Sequence, residues 1–322
     1  NSEDRYVNKF KTNIQEAYKT KNLLKMSDLS REDIIEILNL ADQLKYELKH
    51  NIPHRHLEGK TLGMIFQKSS TRTRVSFETG MYQLGGNALF LSSRDLQIGR
   101  GEPVQDTARV LSRYLNGIMI RTFEQKEVED LANYGNIPII NGLTDYCHPC
   151  QVLADLMTVR EYKGQFDGLK MCYIGDGNNM ANSLIVGGLT VGMEVSAACP
   201  EGYHPDKTVL DFAKNYEGKF TLTADPVEAA ANADVIFTDV WASMGQEGEA
   251  AERRKVFEGI YQINDNVMAA AKRDAMVQHC LPAHREEEIT AKVFEAHAEE
   301  IFDEAENRLH AQKAVMVKLM KN

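Results

Sequence analysis

Short apolar runs alternate with longer amphipathic stretches along most of this chain. The apolar runs are three to six residues long, which is the length of a buried strand rather than of a buried helix. They predict strands at residues 61–66, 88–91, 117–120 and 137–140 in the first half, and at residues 171–174, 194–198, 235–237 and 275–278 in the second half. Strands that alternate with helices form parallel sheets covered on both faces. The pattern therefore predicts an α/β fold of two doubly wound parallel-sheet domains.

The amphipathic stretches between the strands predict the helices. Residues 27–30, Ser-Asp-Leu-Ser, supply a cap for a helix over residues 33–48. In the second half, helices are predicted over residues 180–189, 207–216 and 226–232. A connecting helix within residues 147–162 marks the change of domain. We therefore expect a first domain over residues 1–150 and a second over residues 151–308, with a final helix at residues 309–322 that packs back on the first domain.

The length and the charge balance narrow the class of protein. A chain of 322 residues is long for a single core, which favours two domains. The formal charge of −10 argues against a nucleic-acid surface, because such a surface needs a basic face. No stretch approaches the roughly 20 apolar residues that a membrane helix needs, so we expect no membrane span.

The cysteines and the N-terminus bear on the compartment. Five cysteines in a long chain are too sparse for a disulfide scaffold, and they fit a reducing compartment. Residues 1–10 contain no apolar segment of the kind that a secretory signal needs. We expect a cytoplasmic protein, with an organelle matrix as the open alternative. Because the chain begins without Met, a removed leader also stays open, and residues 1–19 have no predicted role.

Polar clusters follow the predicted strands, at the point where each strand ends. They are residues 69–74, Arg121, and residues 145–151, 176–179, 239–246 and 279–282. In open parallel sheets, ligands bind beyond the carboxyl ends of the strands. We therefore expect these clusters to line one active-site cleft between the two domains.

The cluster at residues 69–74 has the chemistry of an anion site. It combines hydroxyl groups, two guanidinium groups and the free backbone N–H groups of a helix start. Helix N-termini bind phosphate through such N–H groups, and arginine adds forked, charge-assisted hydrogen bonds. On the pattern alone, a capped helix with a solvated basic turn is the alternative interpretation.

Five motifs resemble those of one known family. The run Ser-Thr-Arg-Thr-Arg at residues 70–74, followed by residues 75–78, is similar to the carbamoyl-phosphate signature of the aspartate and ornithine carbamoyltransferases. The motif at residues 148–151 resembles the second motif of this family, residues 239–246 and 279–282 resemble motifs of its ornithine branch, and residues 304–308 complete the set. The motifs occur in family order over residues 60–310, which is most of the chain. The resemblance implies a carbamoyl-phosphate-binding first domain and an ornithine-binding second domain.

The resemblance also implies roles for residues on the phosphate side of the cleft. The phosphate would be held by four residues of the first motif, Ser70, Thr71, Arg72 and Thr73. Arg121 would contact both the phosphate and the carbamoyl oxygen. The carbamoyl end would be held by the side chains of His148, Gln151 and Arg308 and by the backbone of Cys280 and Leu281. Taken singly, Arg121 or Arg308 could instead form a surface ion pair, and His148 could simply cap a helix.

The expected chemistry needs no further group. Attack on a carbamoyl carbon puts negative charge on its oxygen while a phosphate leaves, so preorganised cationic and hydroxyl donors stabilise the transition state. The catalytic groups implied by the resemblance are Arg72, Arg121, His148, Cys280 and Arg308. The remaining contribution is the positioning of two substrates in a closed cleft. We expect no cofactor and no metal.

The amine side of the cleft is carried by residues of the second half. The Gly-Asp-Gly at residues 175–177 suggests a dinucleotide loop, but Met180 replaces the third glycine of that motif, so no nicotinamide cofactor is expected. By resemblance, Asn179 binds the amino-acid substrate, although an Asx turn explains it equally well. Asp239 can hold a substrate ammonium or act as a buried cap. In the family, the loop that contains Ser243 and Met244 accompanies ornithine, and enzymes for putrescine or N-acylornithines depart from it.

The cysteines near the predicted site have several interpretations. By resemblance, Cys280 lies near the δ-amine of ornithine, paired with Asp239, which we favour over covalent catalysis. Cys147 and Cys150 have the spacing of a zinc or redox motif but no second ligand pair, so they are expected to be structural. The charged residues 283–288, which follow Pro282, are expected to be a solvated helix start.

The expected function is transfer of the carbamoyl group from carbamoyl phosphate to ornithine in arginine biosynthesis. The alternatives are a sister enzyme that uses putrescine or an N-acylornithine, and a non-catalytic relative. The resemblance implies a homotrimer with shared active sites, in which Gln97 reaches the site of a neighbouring subunit. No motif decides between the biosynthetic direction and citrulline phosphorolysis.

Overall fold

The computed structural model describes residues 22–321 and contains two parallel β-sheets, one in each half of the chain. Residues 1–21 and residue 322 lie outside the described residues, and with them the N-terminal stretch 1–19 that has no predicted role. Both sheets are parallel throughout, so the expected fold class of two parallel-sheet α/β units is confirmed. No helix in the described part combines the length and the apolar character that crossing a membrane requires.

The first sheet is formed by β1 (Thr61–Phe66), β2 (Asn87–Ser92), β3 (Gly117–Arg121) and β4 (Ile139–Leu143) in the order β2-β1-β3-β4, with all neighbours parallel. Its helices are α1 (Arg31–Lys49), α2 (Thr71–Gln83), α3 (Val104–Tyr114) and α4 (Gln125–Tyr134). Successive residues of a strand point to opposite faces. Leu62 and Met64 of β1 pack in the core that contains α2, whereas Ile65 packs with α3 and α4. Helices therefore cover both faces.

The second sheet is formed by β5 (Lys170–Ile174), β6 (Glu194–Ala198), β7 (Phe220–Thr223), β8 (Val235–Thr238) and β9 (Met276–His279) in the order β7-β6-β5-β8-β9, again all parallel. The helices after α4 are α5 (Pro149–Lys163), α6 (Asn179–Thr190), α7 (Lys207–Ala213), α8 (Pro226–Ala230), α9 (Ala250–Phe257), α10 (Asp265–Ala270), α11 (Ala291–Ala296) and α12 (Ala298–Met320). Alternate residues of β5 again belong to two different core clusters, with Tyr173 in one and Cys172 in the other.

The predicted strands are all present, with ends that differ by up to three residues: the strand predicted at residues 137–140 lies at Ile139–Leu143. The sequence does not predict β7, because Phe-Thr-Leu-Thr contains no apolar run. β7 is the outer strand of its sheet and stays partly exposed, so it needs only alternate apolar residues. The predicted cap of α1 is confirmed, since the hydroxyl of Ser30 accepts from the backbone N of Asp33 at 3.0 Å.

Two helices tie the halves of the chain together. All side chains of α5 from Pro149 to Val159 are buried, and one core cluster joins this helix to both sheets. The C-terminal helix α12 packs along α5, α1 and α2, and its first turns lie against β9. It begins at Ala298, eleven residues before the predicted start at residue 309. Its buried face includes Glu304, Asn307 and Arg308, and an apolar pattern cannot reveal buried polar positions of this kind.

Candidate functional site

A cleft of about 920 Å³ lies between the carboxyl ends of the two sheets. Its walls come from the loops that follow β1, β3 and β4 on one side and β5, β6, β8 and β9 on the other. The polar clusters that the sequence places at strand ends all contribute to it, as expected for open parallel sheets.

The cleft brings together the predicted site residues of both halves, with one exception. Its lining includes Ser70, Thr71, Arg72, Thr73, Arg121, His148, Gln151, Asn179, Asp239, Ser243, Met244, Cys280, Leu281 and Arg308. Gln97 is not among the lining residues. It begins a short 3-10 helix, Gln97–Arg100, after β2, and its side chain is exposed.

The N-terminus of α2 faces the cleft and is built as the sequence predicts. Ser70 is the N-cap, and its hydroxyl accepts from the backbone N of Thr73 at 3.2 Å. Thr73 is buried, and its own hydroxyl accepts from Nη2 of Arg308 at 3.1 Å. The helix start and α12 are therefore joined directly at the cleft.

Three guanidinium groups converge on this half of the cleft without carboxylate partners. Among residues 22–321, none of Arg72, Arg121 and Arg308 forms an ion pair with a carboxylate, and Nε of Arg121 is buried without a hydrogen-bond partner. Burial, together with Arg308 and Arg72, lowers the pKa of Arg121 to about 10. Arg121 and Arg308 are buried, and buried arginines are normally paired, so this arrangement leaves a positive potential open to an anion.

His148 is held as a neutral imidazole at the start of α5. Its backbone N donates to Oγ of Ser183 at 2.8 Å, and its ring is buried, with no partner for Nδ1 among the described residues. Burial lowers the pKa of His148 well below its ordinary value, and the charges of Arg308 and Arg121 lower it further. A neutral imidazole offers one donor and one acceptor, which suits an uncharged ligand group.

The side-chain amide of Gln151 has a defined orientation. Its Nε2 donates to Oδ1 of Asp155 at 2.9 Å, and its Oε1 accepts from Nη1 of Arg308 at 2.9 Å. Arg308 completes its contacts with a bond from Nε to Oε1 of Gln312 at 2.8 Å. Gln151 and Arg308 therefore act as one hydrogen-bonded unit from two helices.

On the opposite side of the cleft, Asp239 is buried and receives three hydrogen bonds. Nδ2 of Asn178 donates to it at 2.8 Å, Sγ of Cys280 at 3.2 Å and the backbone N of Val240 at 2.8 Å. All three contacts are donations to Asp239, which is the pattern of an ionised carboxylate. Burial nevertheless raises the pKa of Asp239. The three hydrogen bonds, rather than water, stabilise the negative charge of Asp239.

The sequence suggests two functions for Asn179, substrate binding and an Asx turn at the helix start. In the structure the neighbouring Asn178 is the residue that caps the helix. Asn178 is the N-cap of α6, with Oδ1 accepting from Met180 N at 3.0 Å, and it is also the donor to Asp239. Asn179 reaches across the cleft, since its Nδ2 donates to the carbonyl oxygen of Thr144 at 2.9 Å. The sequence gives no signal that separates the two, because their positions relative to the helix start decide their roles.

The loop that contains Ser243 and Met244 closes on itself at the rim of the cleft. The backbone N of Ser243 donates to Oε1 of Gln246 at 3.0 Å, and Gln246 N donates back to Ser243 O at 2.9 Å. Met244 is 46% exposed. Gly245 has a φ of +93° and lies beside the ring of Phe123, which belongs to the opposite wall.

The turn at Cys280 and Leu281 is fixed by His279. Nδ1 of His279 accepts from the backbone N of Leu281 at 2.8 Å, so its proton lies on Nε2, which donates to Oε1 of Glu288 at 2.7 Å. Since the N–H of Leu281 is already used, its carbonyl is the backbone group left for a ligand. The expectation that residues 283–288 are a solvated helix start is wrong: the segment has no helix, and Glu288 is fully buried because it pairs with His279.

Two ion pairs that the sequence did not single out as site features also line the cleft. Nζ of Lys68 lies 2.5 Å from Oδ1 of Asp145 and 4.4 Å from the ring centroid of Phe123. Arg253 lies 2.9 Å from Asp176, and it also donates to the carbonyl oxygen of Trp241 at 3.0 Å. Burial raises the pKa of Asp176 to about 6, and Arg253 opposes that shift. Lys68 immediately precedes the predicted cluster at residues 69–74, whereas Arg253 lies in a charged helix with no such signal.

The cysteines do not present a free ligand set. Asp239, His279 and Cys280 offer ligand atoms within 4.8 Å of one another, but the hydrogen bonds described above engage all three side chains. Burial raises the pKa of Cys147 and of Cys150 to about 12. The thiol of Cys150 points at the carbonyl oxygen of Asn141 at 3.5 Å. These thiols are inert in this state.

Replacing Gly177 with Ala is expected to destabilise the protein by about 1–3 kcal/mol and to raise KM for a substrate that binds beside Asn178. A Cβ at this position would lie 2.5 Å from the carbonyl oxygen of Tyr203 and would also clash with the backbone of His204 and Pro205. The loop before Asn178 would have to move. Thermal unfolding and steady-state kinetics measure both effects. Gly248→Ala is the control, because its Cβ would meet open space; equal effects of the two substitutions would contradict the expectation.

Comparisons with known proteins agree over nearly the whole described chain. The family model for the carbamoyl-P binding domain of aspartate/ornithine carbamoyltransferase matches residues 21–161, and that for the Asp/Orn binding domain matches residues 167–319. The chain is 56% identical over 308 residues to the ornithine carbamoyltransferase of Carboxydothermus hydrogenoformans, covering 94% of this chain and 99% of the relative. It is 55% identical over 304 residues to that of Thermococcus kodakarensis, covering 93% and 96%.

Solved structures give the same result for the fold. The ornithine carbamoyltransferase of Pyrococcus furiosus superposes with a TM-score of 0.89 at 53% identity, covering 94% of this chain and 97% of that one. The ornithine transcarbamoylase of Giardia lamblia superposes with a TM-score of 0.82 at 32% identity, covering 94% and 98%. The likeness therefore includes both sheets and the cleft between them.

Proposed function

The chain belongs to the aspartate/ornithine carbamoyltransferase family, and we propose that it transfers the carbamoyl group of carbamoyl phosphate to the δ-amine of L-ornithine, giving L-citrulline and phosphate. The observation that carries the proposal is the presence of unpaired positive charge and of a buried negative charge on opposite sides of one cleft. Three arginines without carboxylate partners stand on one side, and the buried carboxylate Asp239 stands on the other. One side suits a dianion and the other suits a cationic amino acid.

Carbamoyl phosphate would occupy the side that contains the start of α2. Its phosphate would bind the hydroxyl groups of Ser70, Thr71 and Thr73, the free N–H groups at the start of α2 and the guanidinium of Arg72. Arg121 would contact the phosphate and the carbamoyl oxygen, and Arg308 would contact that oxygen as well. His148, Gln151 and the carbonyl of Leu281 would hold the carbamoyl amide, which needs both donors and acceptors. The neutral state of His148 fits such an uncharged group.

The reaction would be a direct displacement. The lone pair of the δ-amine attacks the carbamoyl carbon, negative charge builds on the carbamoyl oxygen, and the bond from carbon to the phosphate oxygen then breaks. The phosphate leaves with that electron pair and takes up the proton that the new ammonium releases, so atoms and charge balance. Arg121 and Arg308 would stabilise the charge on the carbamoyl oxygen in a site that excludes water. The chain would contribute positioning and fixed charge rather than a covalent intermediate.

Cys280 would orient the amine rather than attack a substrate. Burial and the nearby Asp239 raise the pKa of Cys280 well above its ordinary value, so it stays a thiol. A thiol is a poor nucleophile, since the thiolate is the reactive form. Its hydrogen bond to Asp239 leaves the sulfur beside the carboxylate that would attract the amino-acid substrate. Asn179 and the loop of Ser243 and Met244 would hold the α-amino and α-carboxylate groups.

A panel of amines tests the proposal. Carbamoyl phosphate is incubated with ornithine, putrescine, N-acetylornithine or aspartate, and the carbamoylated product is measured. Turnover with ornithine alone supports both halves of the proposal. Turnover with a different amine would retain the phosphate side and overturn the role of Ser243 and Met244. No turnover with any amine would indicate a non-catalytic relative.

The rate is expected to rise with pH because ornithine must attack as a neutral δ-amine. A free amine of this kind has a pKa of roughly 10, as for lysine, so its neutral fraction grows about tenfold for each pH unit between 6 and 9. The pKa of His148 lies well below 6.5, so it is uncharged over this whole range and adds no limb near pH 6.5. The measurement is kcat/KM for ornithine against pH. A flat profile between about pH 6 and 9 would contradict the expectation.

We also propose a homotrimer with shared active sites. The surface formed by α2 and β2 exposes Tyr82 (79%), Val75 (56%) and Phe90 (41%), and β2 is an outer strand of its sheet. An exposed apolar face of this kind marks a protein interface. Gln97 lies in the segment that follows β2 and is outside its own cleft, as a residue that serves a neighbour would be. Light scattering gives the mass, and loss of activity in Gln97→Ala supports the shared site.

The proposed setting is arginine biosynthesis in the cytoplasm. The test is growth of an arginine-requiring bacterial strain that lacks this activity, with the chain expressed without any added targeting segment. Growth without arginine supports the biosynthetic direction. Growth on added citrulline but not on ornithine would contradict it.

A further inference from the structure

Glu304 adjoins the cleft without lining it, and its contacts reach several parts of the site. Its Oε1 accepts from the backbone N of His279 at 2.9 Å, and its Oε2 lies 3.4 Å from Nε2 of Gln151. Arg308 is four residues further along α12, so the two side chains leave the helix on the same face. Glu304 thus stands beside Gln151, beside Arg308 and beneath the turn of Cys280 and Leu281 that follows His279.

The helix reaches this position by covering an outer strand. β9 is the last strand of its sheet, so its outer N–H groups have no neighbouring strand. Glu300 accepts from Val277 N at 2.8 Å and Glu304 from His279 N at 2.9 Å. Four helix residues advance about 6 Å and two strand residues advance about 6.6 Å, so the spacings match. Glu300 and Glu304 therefore share one structural role, but only Glu304 adjoins the cleft.

Glu304 is also hydrogen-bonded to a second buried carboxyl group, that of Asp155. Oδ1 of Asp155 accepts from Gln151, whereas Oδ2 is buried and receives no hydrogen bond from any N–H or hydroxyl of residues 22–321. Two carboxyl groups in contact in a buried site cannot both be ionised. A proton on Glu304 would supply the donor that Asp155 lacks.

The electrostatic environment agrees with this distribution of the proton. Burial raises the pKa of Glu304 well above its ordinary value, and the charge of Asp155 raises it further. Burial also raises the pKa of Asp155, but the hydrogen bonds to Glu304 and Gln151 and the charge of Arg308 lower it. These directions agree with a proton on Glu304 and a negative charge on Asp155.

We propose that Glu304 is a positioning residue of the transfer reaction and acts as a neutral carboxylic acid. Its carbonyl oxygen holds the backbone of His279, and its hydroxyl donates to Asp155, which holds the nitrogen of Gln151. The oxygen of Gln151 must then face Arg308. One side chain thereby aligns the amide and the backbone turn that would hold the carbamoyl end. This inference rests on the proposed function, because the carbamoyl substrate defines the groups that Glu304 aligns.

The charge state is tested by Glu304→Gln and Glu304→Ala, with kcat and KM measured for both substrates. Glutamine keeps an oxygen for His279 and an N–H for Asp155, so we expect kcat within about threefold of the wild type. Alanine removes both contacts, and displacements of about 1 Å cost roughly 100-fold. That loss should fall on kcat/KM for carbamoyl phosphate, with KM for ornithine changed far less. Equal impairment of the two variants would overturn the proposal, because it would mean that the ionised form is needed.

The matched control is Glu300→Ala, which removes the corresponding bond to Val277 outside the cleft. We expect it to lower the unfolding temperature about as much as Glu304→Ala while leaving kcat unchanged. An equal loss of kcat in both would show that Glu304 acts only through stability, and would overturn the proposal. If Glu304→Ala does not fold, Glu304→Met keeps the volume, removes both bonds and takes its place. A wild type without turnover would refute the proposed function itself, which is a separate outcome.

Discussion

The variant Arg121→Gln is expected to lose about 10²–10³-fold in kcat/KM for carbamoyl phosphate, and at the same time to unfold at a higher temperature than the wild type. The loss follows because glutamine cannot supply the charge that Arg121 would present to the phosphate and the carbamoyl oxygen. The unfolding temperature rises because the substitution removes a buried charge that has no carboxylate partner among the described residues and whose Nε has no hydrogen-bond partner there. A charge that serves the ligand destabilises the empty protein.

The sign and size of the stability effect follow from the pKa of Arg121. Its pKa falls from 12.5 to about 10 on folding, so the charged form is disfavoured in the fold, although it is still the form present at pH 7. Each pKa unit corresponds to about 1.4 kcal/mol, which sets an upper bound of roughly 3 kcal/mol on the relief.

Calorimetry with and without inorganic phosphate measures this prediction. Phosphate should raise the unfolding temperature of the wild type and leave that of Arg121→Gln almost unchanged. Arg109→Gln is the control, since Arg109 is exposed and lies 3.6 Å from Asp106 on the surface of α3. Kinetics within tenfold of the wild type, or a variant less stable than the wild type, would show that Arg121 has a structural role.

The variant Asp239→Asn is expected to lose about 10²–10³-fold in kcat/KM for ornithine, with the affinity for carbamoyl phosphate unchanged. Asparagine keeps the shape but not the charge, and loss of one partner from a desolvated charge pair costs about 2–5 kcal/mol. The amide would also place a donor against Asn178 or Cys280, which both donate at this position. The measurement is steady-state kinetics with each substrate varied in turn, together with carbamoyl-phosphate binding by calorimetry.

The matched control is Asp234→Asn in the same part of the chain. Asp234 is also buried, but it precedes β8 and lies at the opposite end of the strand, where it accepts from Lys170 N at 2.8 Å and Lys272 Nζ at 2.9 Å. This substitution should lower stability by about 1 kcal/mol and leave the kinetics unchanged. If the two variants have the same kinetics, Asp239 does not bind the amine.

The fold and most of the cleft could be predicted from the sequence because parallel strands leave a strong local signal. A strand buried on both faces is an unbroken apolar run, and the polar residue that ends the run marks the ligand edge of the sheet. Thr61–Phe66 and the hydroxyl and arginine residues after it are one example. The strand β7 has a weaker pattern, because an outer strand need not be apolar throughout.

The parts that could not be predicted depend on distant partners. Glu288 looks like a surface residue until His279 is placed beside it. The first turns of α12 look solvated, yet Glu304 and Arg308 are buried because β9, Gln151 and Thr73 satisfy their polar groups. Asn178 and Asn179 are indistinguishable by type. In each case the outcome depends on a hydrogen-bond partner in another part of the fold or on the register of a helix, and a local apolar pattern reports neither.

The position of α12 after both sheets in the sequence has a consequence for how the protein is made. Arg308 and Glu304 belong to a helix that is synthesised after both sheets, so a nascent chain cannot complete the cleft until residue 308 has been translated. The apolar faces of α1 and α2, which are synthesised first, pack against Ala311, Val315 and Met316 of that helix. At roughly 5–20 residues per second, those faces stay uncovered for many seconds. Slow codons in the part of the message that encodes α12, or a stop codon upstream of it, should therefore increase dependence on chaperones as well as reduce activity.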